Sequence, residues 1–193
     1  MDTSASLLES LRDASDEAAW NRLVDMYSPL LRNWLRRHNA NTGDIDDVVQ
    51  EVMTVVVRRF PDFQRQPRTG AFRAWLRTIT VNCLRDQWRR SNKQPKATGG
   101  TQYAEVIEQL ADPHSGISKI WDQEHDKHVA SFLLSKIQPD FTPQTWQAFQ
   151  RFAIDGSSAD EVARELGITA NAVFIAKSRV MSGLRQQAQG LIE

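Results

Sequence analysis

The sequence predicts an all-α protein of two small helical domains joined by a flexible linker, the C-terminal one carrying a helix-turn-helix. Three observations predict it. Apolar residues recur at helical spacing along most of the 193 residues. Strand signals are nearly absent, since the one β-branched run, at 55–57, sits inside a helical pattern. A polar segment with a proline and paired glycines, "NKQPKATGGTQ", divides the periodic stretches.

The elements follow in order. The first helix covers about 15–38, with Ser15 or Asp16 as N-cap and with Pro29 placed to kink or interrupt it. "NANTGD" makes a loop. A second helix runs over about 44–60, "PDFQRQPRTG" is a loop with two prolines and a glycine, and a third helix covers about 72–91. These form a first domain, 1–93. Residues 94–117 read as the linker, with a short helical turn at 103–110. Helices resume over 118–137, 143–155, 158–166 and 170–188 and form a second domain, 118–193.

Composition narrows the function classes. The single cysteine, Cys83, allows no intramolecular disulfide, which fits a reducing cytoplasm. The first residues have no signal-peptide pattern, and no apolar run reaches the roughly 20 residues that span a bilayer. The expectation is a soluble cytoplasmic protein with no membrane partner. The 24 basic and 24 acidic residues cancel, but unevenly along the chain. Residues 58–96 hold eleven Lys/Arg against Asp62 and Asp86, and residues 97–140 hold three lysines against seven acids. A basic segment in a neutral chain is a footprint for a polyanion.

Projected at 100° per residue, the second helix turns Val48, Val49, Val52, Met53, Val55, Val56 and Phe60 to a core. Its other face, Asp47, Gln50, Glu51, Thr54 and Arg58, is polar. The acids at 44, 46 and 47 complement the helix dipole, and the polar face also suits a protein contact. The third helix places Phe72, Trp75, Leu76, Ile79 and Cys83 on a core stripe, with Cys83 packing as a small hydrophobe. Its opposite face carries Arg73, Arg77, Thr80, Val81, Leu84, Arg85 and Trp88, with Arg89 at the edge. Two readings of Trp88 fit. Arginines hold phosphates while unstacked bases stack on the ring, or the ring packs on another helix under arginine stems.

"SSADEVARELGITANAVFIAKSRV" has helix-turn-helix spacing. Ser157 or Ser158 caps a helix with Val162, Ala163 and Leu166 inward. Gly167 supplies the turn, and Val173, Ala176 and Val180 face inward on the next helix. The outward positions are Thr169, Ala170, Asn171, Phe174, Ile175 and Ser178, with Lys177 and Arg179 flanking. Asn171 suits a base edge, Lys177 and Arg179 suit phosphates, and Phe174 and Ile175 suit thymine methyls or a protein partner.

Together these residues resemble the extracytoplasmic-function group of bacterial RNA polymerase sigma factors. "D-x-x-D-x-x-Q-E-V" at Asp44, Asp47, Gln50, Glu51 and Val52 is similar to the family pattern. So are "F-R-A-W-L" at 72–76 and "N-x-x-x-D-x-x-R-R" at Asn82, Asp86, Arg89 and Arg90. The resemblance covers roughly 10–92 and 118–188. It implies that Asp44, Asp47, Gln50, Glu51 and Thr54 dock on the β′ clamp helices of core RNA polymerase. It implies that the loop at 61–71 and the helix at 72–90 hold the melted −10 element, with Arg73, Arg77, Asn82, Arg85, Trp88, Arg89 and Arg90 toward DNA. The helix-turn-helix, through Thr169, Asn171, Phe174, Lys177, Ser178 and Arg179, would read the −35 element of promoter DNA and touch the β flap. The linker would follow the RNA exit path, and an anti-sigma protein is a possible partner in such a family. The chain departs from the pattern after Val173, where Phe174, Ile175 and Ala176 precede the basic residues.

The resemblance implies a non-enzymatic initiation factor without a cofactor. A stand-alone helix-turn-helix regulator is the rival, and would need a dimer surface and a more basic reading head. An enzyme using Asp47 and Glu51 as metal ligands lacks a converging third ligand in the motif. His125 and His128, at i, i+3 among acids, read as a solvated helix face.

Overall fold

The computed structural model describes residues 7–12, 16–38, 45–63, 70–91 and 100–188. Regular structure among them is helical throughout. They divide into two compact units, Leu7–Val129 and Ala130–Gln189.

In the first unit a short α1, Leu7–Ser10, precedes α2, Glu17–Arg37. Asp16 caps α2 by accepting from the Ala19 N–H at 2.9 Å, while Ser15 lies outside the described residues. The helix runs on through Pro29 rather than breaking there. The proline ring removes one N–H, but the apolar stripe of Leu23, Met26, Tyr27, Leu30, Leu31, Trp34 and Leu35 is buried on both sides of it. Helix α3, Ile45–Arg59, buries Val48, Val49, Val52, Met53 and Val56 as its periodicity requires. Phe60 begins a 3-10 turn that places Phe60 and Phe63 against Phe72 and Trp75, with ring centroids 4.9–6.5 Å apart.

Helix α4, Ala71–Ser91, packs between α3 and α5, Gly100–Ala111. Phe72, Leu76, Ile79 and Cys83 are buried as expected, while Trp75 of the same stripe is half-buried, and burial pushes the Cys83 thiol up to about 11, with Glu51 and Asp86 adding to the shift. That suits an inert packing cysteine. The opposite side departs from expectation: Thr80, Val81 and Leu84 are buried and Arg77 is only 9% exposed. A helix apolar on two sides belongs in the middle of a bundle.

The second side is covered by residues expected to be linker. Residues 92–99 lie outside the described residues, but 100–111 form α5, burying Tyr103, Ile107 and Leu110. Helix α6, Gly116–Ile137, follows at once. Its Ser118 hydroxyl donates to the Leu110 carbonyl at 2.9 Å and ties the two helices together. Trp121 meets Trp34 edge-on at 5.4 Å, and both are buried. The unit therefore extends to Val129, where a boundary at 117 was expected. A polar, glycine-bearing sequence reads as linker locally, yet three apolar residues at 103, 107 and 110 suffice to seat a helix on a prepared neighbour.

In the second unit, α7, Pro143–Phe149, is capped by Thr142 and continues in a π turn, Gln150–Ile154, so that the helical stretch stops one residue short of the 155 expected. Helix α8, Ala159–Leu166, starts in a capping box between Ser158 and Glu161. Gly167 takes φ +65°, and the Ile168 N–H donates to the Ala163 carbonyl at 3.0 Å, closing the helix. Helix α9, Ala170–Ala188, completes the unit around Ala148, Val162, Val173 and Ala176.

Candidate functional site

Three helix faces carry the residues that the sequence singled out. On α3, Asp47, Gln50 and Thr54 are exposed along one side. The Thr54 hydroxyl donates to the Gln50 backbone carbonyl at 2.8 Å. Glu51 is half-buried and accepts from Arg90 at 2.9 Å. Asp46 pairs with Arg32 of α2 at 2.7 Å. Val57, 42% exposed, ends the face with an apolar position. Asp44 lies outside the described residues.

On α4 the arginines are present but engaged, and the open basic face that was expected is not found. Arg73 reaches α6 and pairs with Asp122 at 3.0 Å and Asp126 at 2.6 Å. Gly70, at φ +73°, makes room for it, because a Cβ there would meet the guanidinium at 2.7 Å. Arg77 lies 3.4 Å from the same Asp122. Arg85 forms a two-oxygen pair with Glu108 of α5 at 2.9 and 3.0 Å. Arg89 and Arg90 are exposed, the first 3.3 Å from Asp86 and the second holding Glu51. Asn82 is exposed, and Trp88 is half-buried. A cavity of about 480 Å³ lies between α4 and the α5–α6 turn, lined by Arg73, Arg77, Asn82, Arg85, Pro113 and Asp122.

The carboxylates that cover α4 were not singled out as site residues. Their signal was present: the acidic stretch after residue 97 balances the basic stretch before it. The histidines also sit differently. His125 is fully buried rather than solvated, with Tyr27 Oη 3.2 Å from Nε2 and Asp126 3.0 Å from Nδ1. His128 is half-buried, 2.6 Å from the Met26 carbonyl. A histidine one or two turns along from Trp121 faces α2, and that face is visible only once α6 is known to pack there. Burial lowers the His125 pKa from its ordinary 6.5, against the opposing pull of Asp126. Burial alone would raise the Asp126 carboxyl, but hydrogen bonds from His125 and Arg73 hold it below the ordinary value.

On α9 the outward positions lie where the spacing placed them. Asn171, Phe174, Ile175, Lys177, Ser178 and Arg179 are exposed. Thr169 is exposed too, and its hydroxyl accepts from the Ala172 N–H at 3.1 Å as the N-terminal cap. Phe174 is 52% exposed and stands edge-on to Phe152 at 5.2 Å. Lys177 lies over the same Phe152 ring at 5.3 Å. Phe152, unmarked by the sequence reading, therefore steadies two residues of the outward face.

Among the described residues no helix is long and apolar enough to cross a membrane. Residues 23–94 match the family model of Sigma-70 region 2. The chain is 26% identical over 180 residues to the RNA polymerase sigma factor HrpL of Pseudomonas syringae pv. syringae, covering 91% of this chain and 90% of that protein. It is 27% identical over 151 residues to the ferric citrate uptake sigma factor FecI of Escherichia coli strain K12, covering 77% and 79%. Helices α2 to α4 carry the region 2 match and α8 and α9 a helix-turn-helix, and together with these two relatives they support a sigma factor of the extracytoplasmic-function type, acting with RNA polymerase in promoter-specific initiation of transcription.

Proposed function

We propose that this sigma factor docks on core RNA polymerase through the exposed side of α3 and contacts promoter DNA through two further faces. Asp47, Gln50 and Thr54, with Glu51 beside them, would meet the β′ clamp helices, and Asp44 extends the same motif. Arg85, Arg89 and Arg90 of α4, with Asn82 and Trp88, would hold the melted strand of the −10 element, phosphates on guanidinium groups and an unstacked base against the ring, while Arg73 and Arg77 brace the helix through Asp122 and Asp126. Thr169, Asn171, Phe174, Lys177, Ser178 and Arg179 would meet the −35 element in the major groove, and the same unit would touch the β flap. The factor works in the cytoplasm, where its polymerase is, and an anti-sigma protein is a fitting negative regulator.

The observation that carries the reading is the α3 side, where Asp47, Gln50 and Thr54 are polar and exposed, on a helix whose other side buries Val48, Val49, Val52, Met53 and Val56. The test is retention of purified core polymerase by the tagged protein, with and without the double change Asp47→Arg and Gln50→Ala. Wild type should retain polymerase and the folded double variant should lose it by at least about tenfold, as expected when a charge is reversed within an interface. Equal retention by both would move the docking face elsewhere, and no retention by the wild type would favour a stand-alone regulator.

A further inference from the structure

We propose that α5 is an autoinhibitory cover: in the free protein Glu108 holds Arg85 as a DNA phosphate would, and α5 must leave α4 before that end of the helix can take nucleic acid. The inference rests on the reading of α4 as a DNA-facing helix and adds how that face is withheld.

Charge and position point the same way. Helix α4 carries five arginines against Asp86, and residues 100–129 carry six acids against two lysines. Glu108 meets Arg85 with both oxygens, the arrangement a phosphate adopts on a guanidinium. The covering segment begins beyond residue 94, outside the region 2 match, although it packs on the last helix of that region. The cover thus belongs to this chain's connecting segment rather than to the matched domain.

The two halves of the covering layer differ in how firmly they are held. Helix α6 is fixed by Trp121 and His125, both buried against α2, and its Asp122 and Asp126 grip Arg73, whose side chain is only 15% exposed. Those pairs belong to the permanent structure. Helix α5 is tied at its C-terminal end to α6 by Ser118, and is otherwise held to α4 by Tyr103, Ile107 and Leu110 and by the Glu108 pair, whose carboxylate is 68% exposed. A solvent-exposed pair of this kind is weak and yields to a competing polyanion. Release of α5 alone would uncover Arg85 and widen the cavity at Asn82, adjoining Trp88 and Arg89 one turn on. Arg73 and Arg77 would stay in place.

A cover lowers apparent affinity by the fraction of time it is open. The test measures binding of fluorescein-labelled single-stranded DNA of mixed sequence to the full chain, without polymerase, by anisotropy. Four proteins are compared: wild type, Glu108→Gln, Glu105→Gln and Ile107→Ala. Glu105 is exposed on the same helix, so its change removes the same charge without touching Arg85. Glu108→Gln should bind about five- to tenfold more tightly than wild type, and Glu105→Gln less than about twofold. Ile107→Ala, which loosens α5 without altering charge, should also tighten binding while lowering the melting temperature. Adding Arg85→Gln to Glu108→Gln should cancel the gain. Equal gains for the two glutamates would reduce the effect to net charge and overturn the cover, as would weaker binding by Ile107→Ala. If the wild type retains core polymerase and the variants show no such order, the cover alone falls. If no protein binds either polymerase or DNA, the reading of α4 falls with it.

Discussion

Helices α4 and α9 have similar lengths, 21 and 19 residues, and each combines a core stripe with a side that the sequence turns outward. On α9 that side is exposed from Asn171 to Arg179, whereas on α4 it is covered from Arg73 to Arg85. The difference lies in where each helix's neighbours come from. The partners of α9 sit within about thirty residues before it, and a capped turn at Gly167 fixes their approach. The second neighbour of α4 arrives from a segment with linker composition, and its seat is made by residues up to 53 positions away, as in the Arg73–Asp126 pair. Arginine content therefore reports a taste for carboxylates and phosphates alike, and tertiary contacts decide which one is met.

The strongest way to break the contrast uses two apolar positions that both projected outward. Leu84 on α4 is 1% exposed and Ile175 on α9 is 45% exposed. Leu84→Asp buries a carboxylate without a partner and should cost more than about 3 kcal/mol, enough to unfold a marginal domain. Ile175→Asp should change stability by less than about 0.5 kcal/mol. Urea unfolding followed by circular dichroism separates them. Similar small losses at both sites would mean that α5 and α6 do not cover α4 in solution.

A smaller contrast concerns the arginines themselves. Arg73 is mostly buried between two carboxylates, and Arg179 is exposed. Arg73→Met leaves Asp122 and Asp126 facing each other near the buried His125 and should cost about 2 kcal/mol, less than a fully buried pair because both acids keep some water. Arg179→Met should cost less than about 0.5 kcal/mol while weakening DNA binding. A thermal melt of each, with salt varied, reads the difference. An Arg73 variant as stable as wild type would show that the α4–α6 pairs are cosmetic.

Much of this was legible from sequence where the signal was local. The ends of α2 to α4 and α6 to α9 fall within a few residues of where periodicity and caps placed them, and the Ser158 cap, the Gly167 turn and the inward trio Val173, Ala176 and Val180 are as read. The buried side of α3 was legible for the same reason, since valines at helical spacing admit one orientation. What was not legible depended on partners distant in sequence. Thr80, Val81 and Leu84 look equally at home beside arginine stems or under another helix, and only α5 decides. His125 looks solvated among acids until Trp121 is seated on Trp34, which turns the same side of α6 inward.

The smallest expected effect separates the two units by pH. All four histidines lie in the first unit, so the second has none to titrate in the neutral range. Tyr27, Asp126, Arg73 and Asp122 surround His125. Burial pushes the Tyr27 phenol well above its ordinary 10, so it stays neutral, and Asp126 is held below its ordinary 3.8, so its contribution is lost only in stronger acid. His125 has a folded pKa below its ordinary 6.5, chiefly through burial, so the folded chain binds fewer protons there than the unfolded one. Its neutral form is accommodated at high pH, and stability is lost as pH falls through the unfolded value toward the folded one. His38 is shifted the same way by burial, so His38→Gln serves as the reference background. In that background the melting temperature of the first unit should fall between about pH 8 and about pH 5, and His125→Gln should flatten the fall. The second unit should show no such slope over the same range, because it holds no histidine. An unchanged slope in the His125→Gln protein would move the linkage to another group and remove His125 from the packed face of α6.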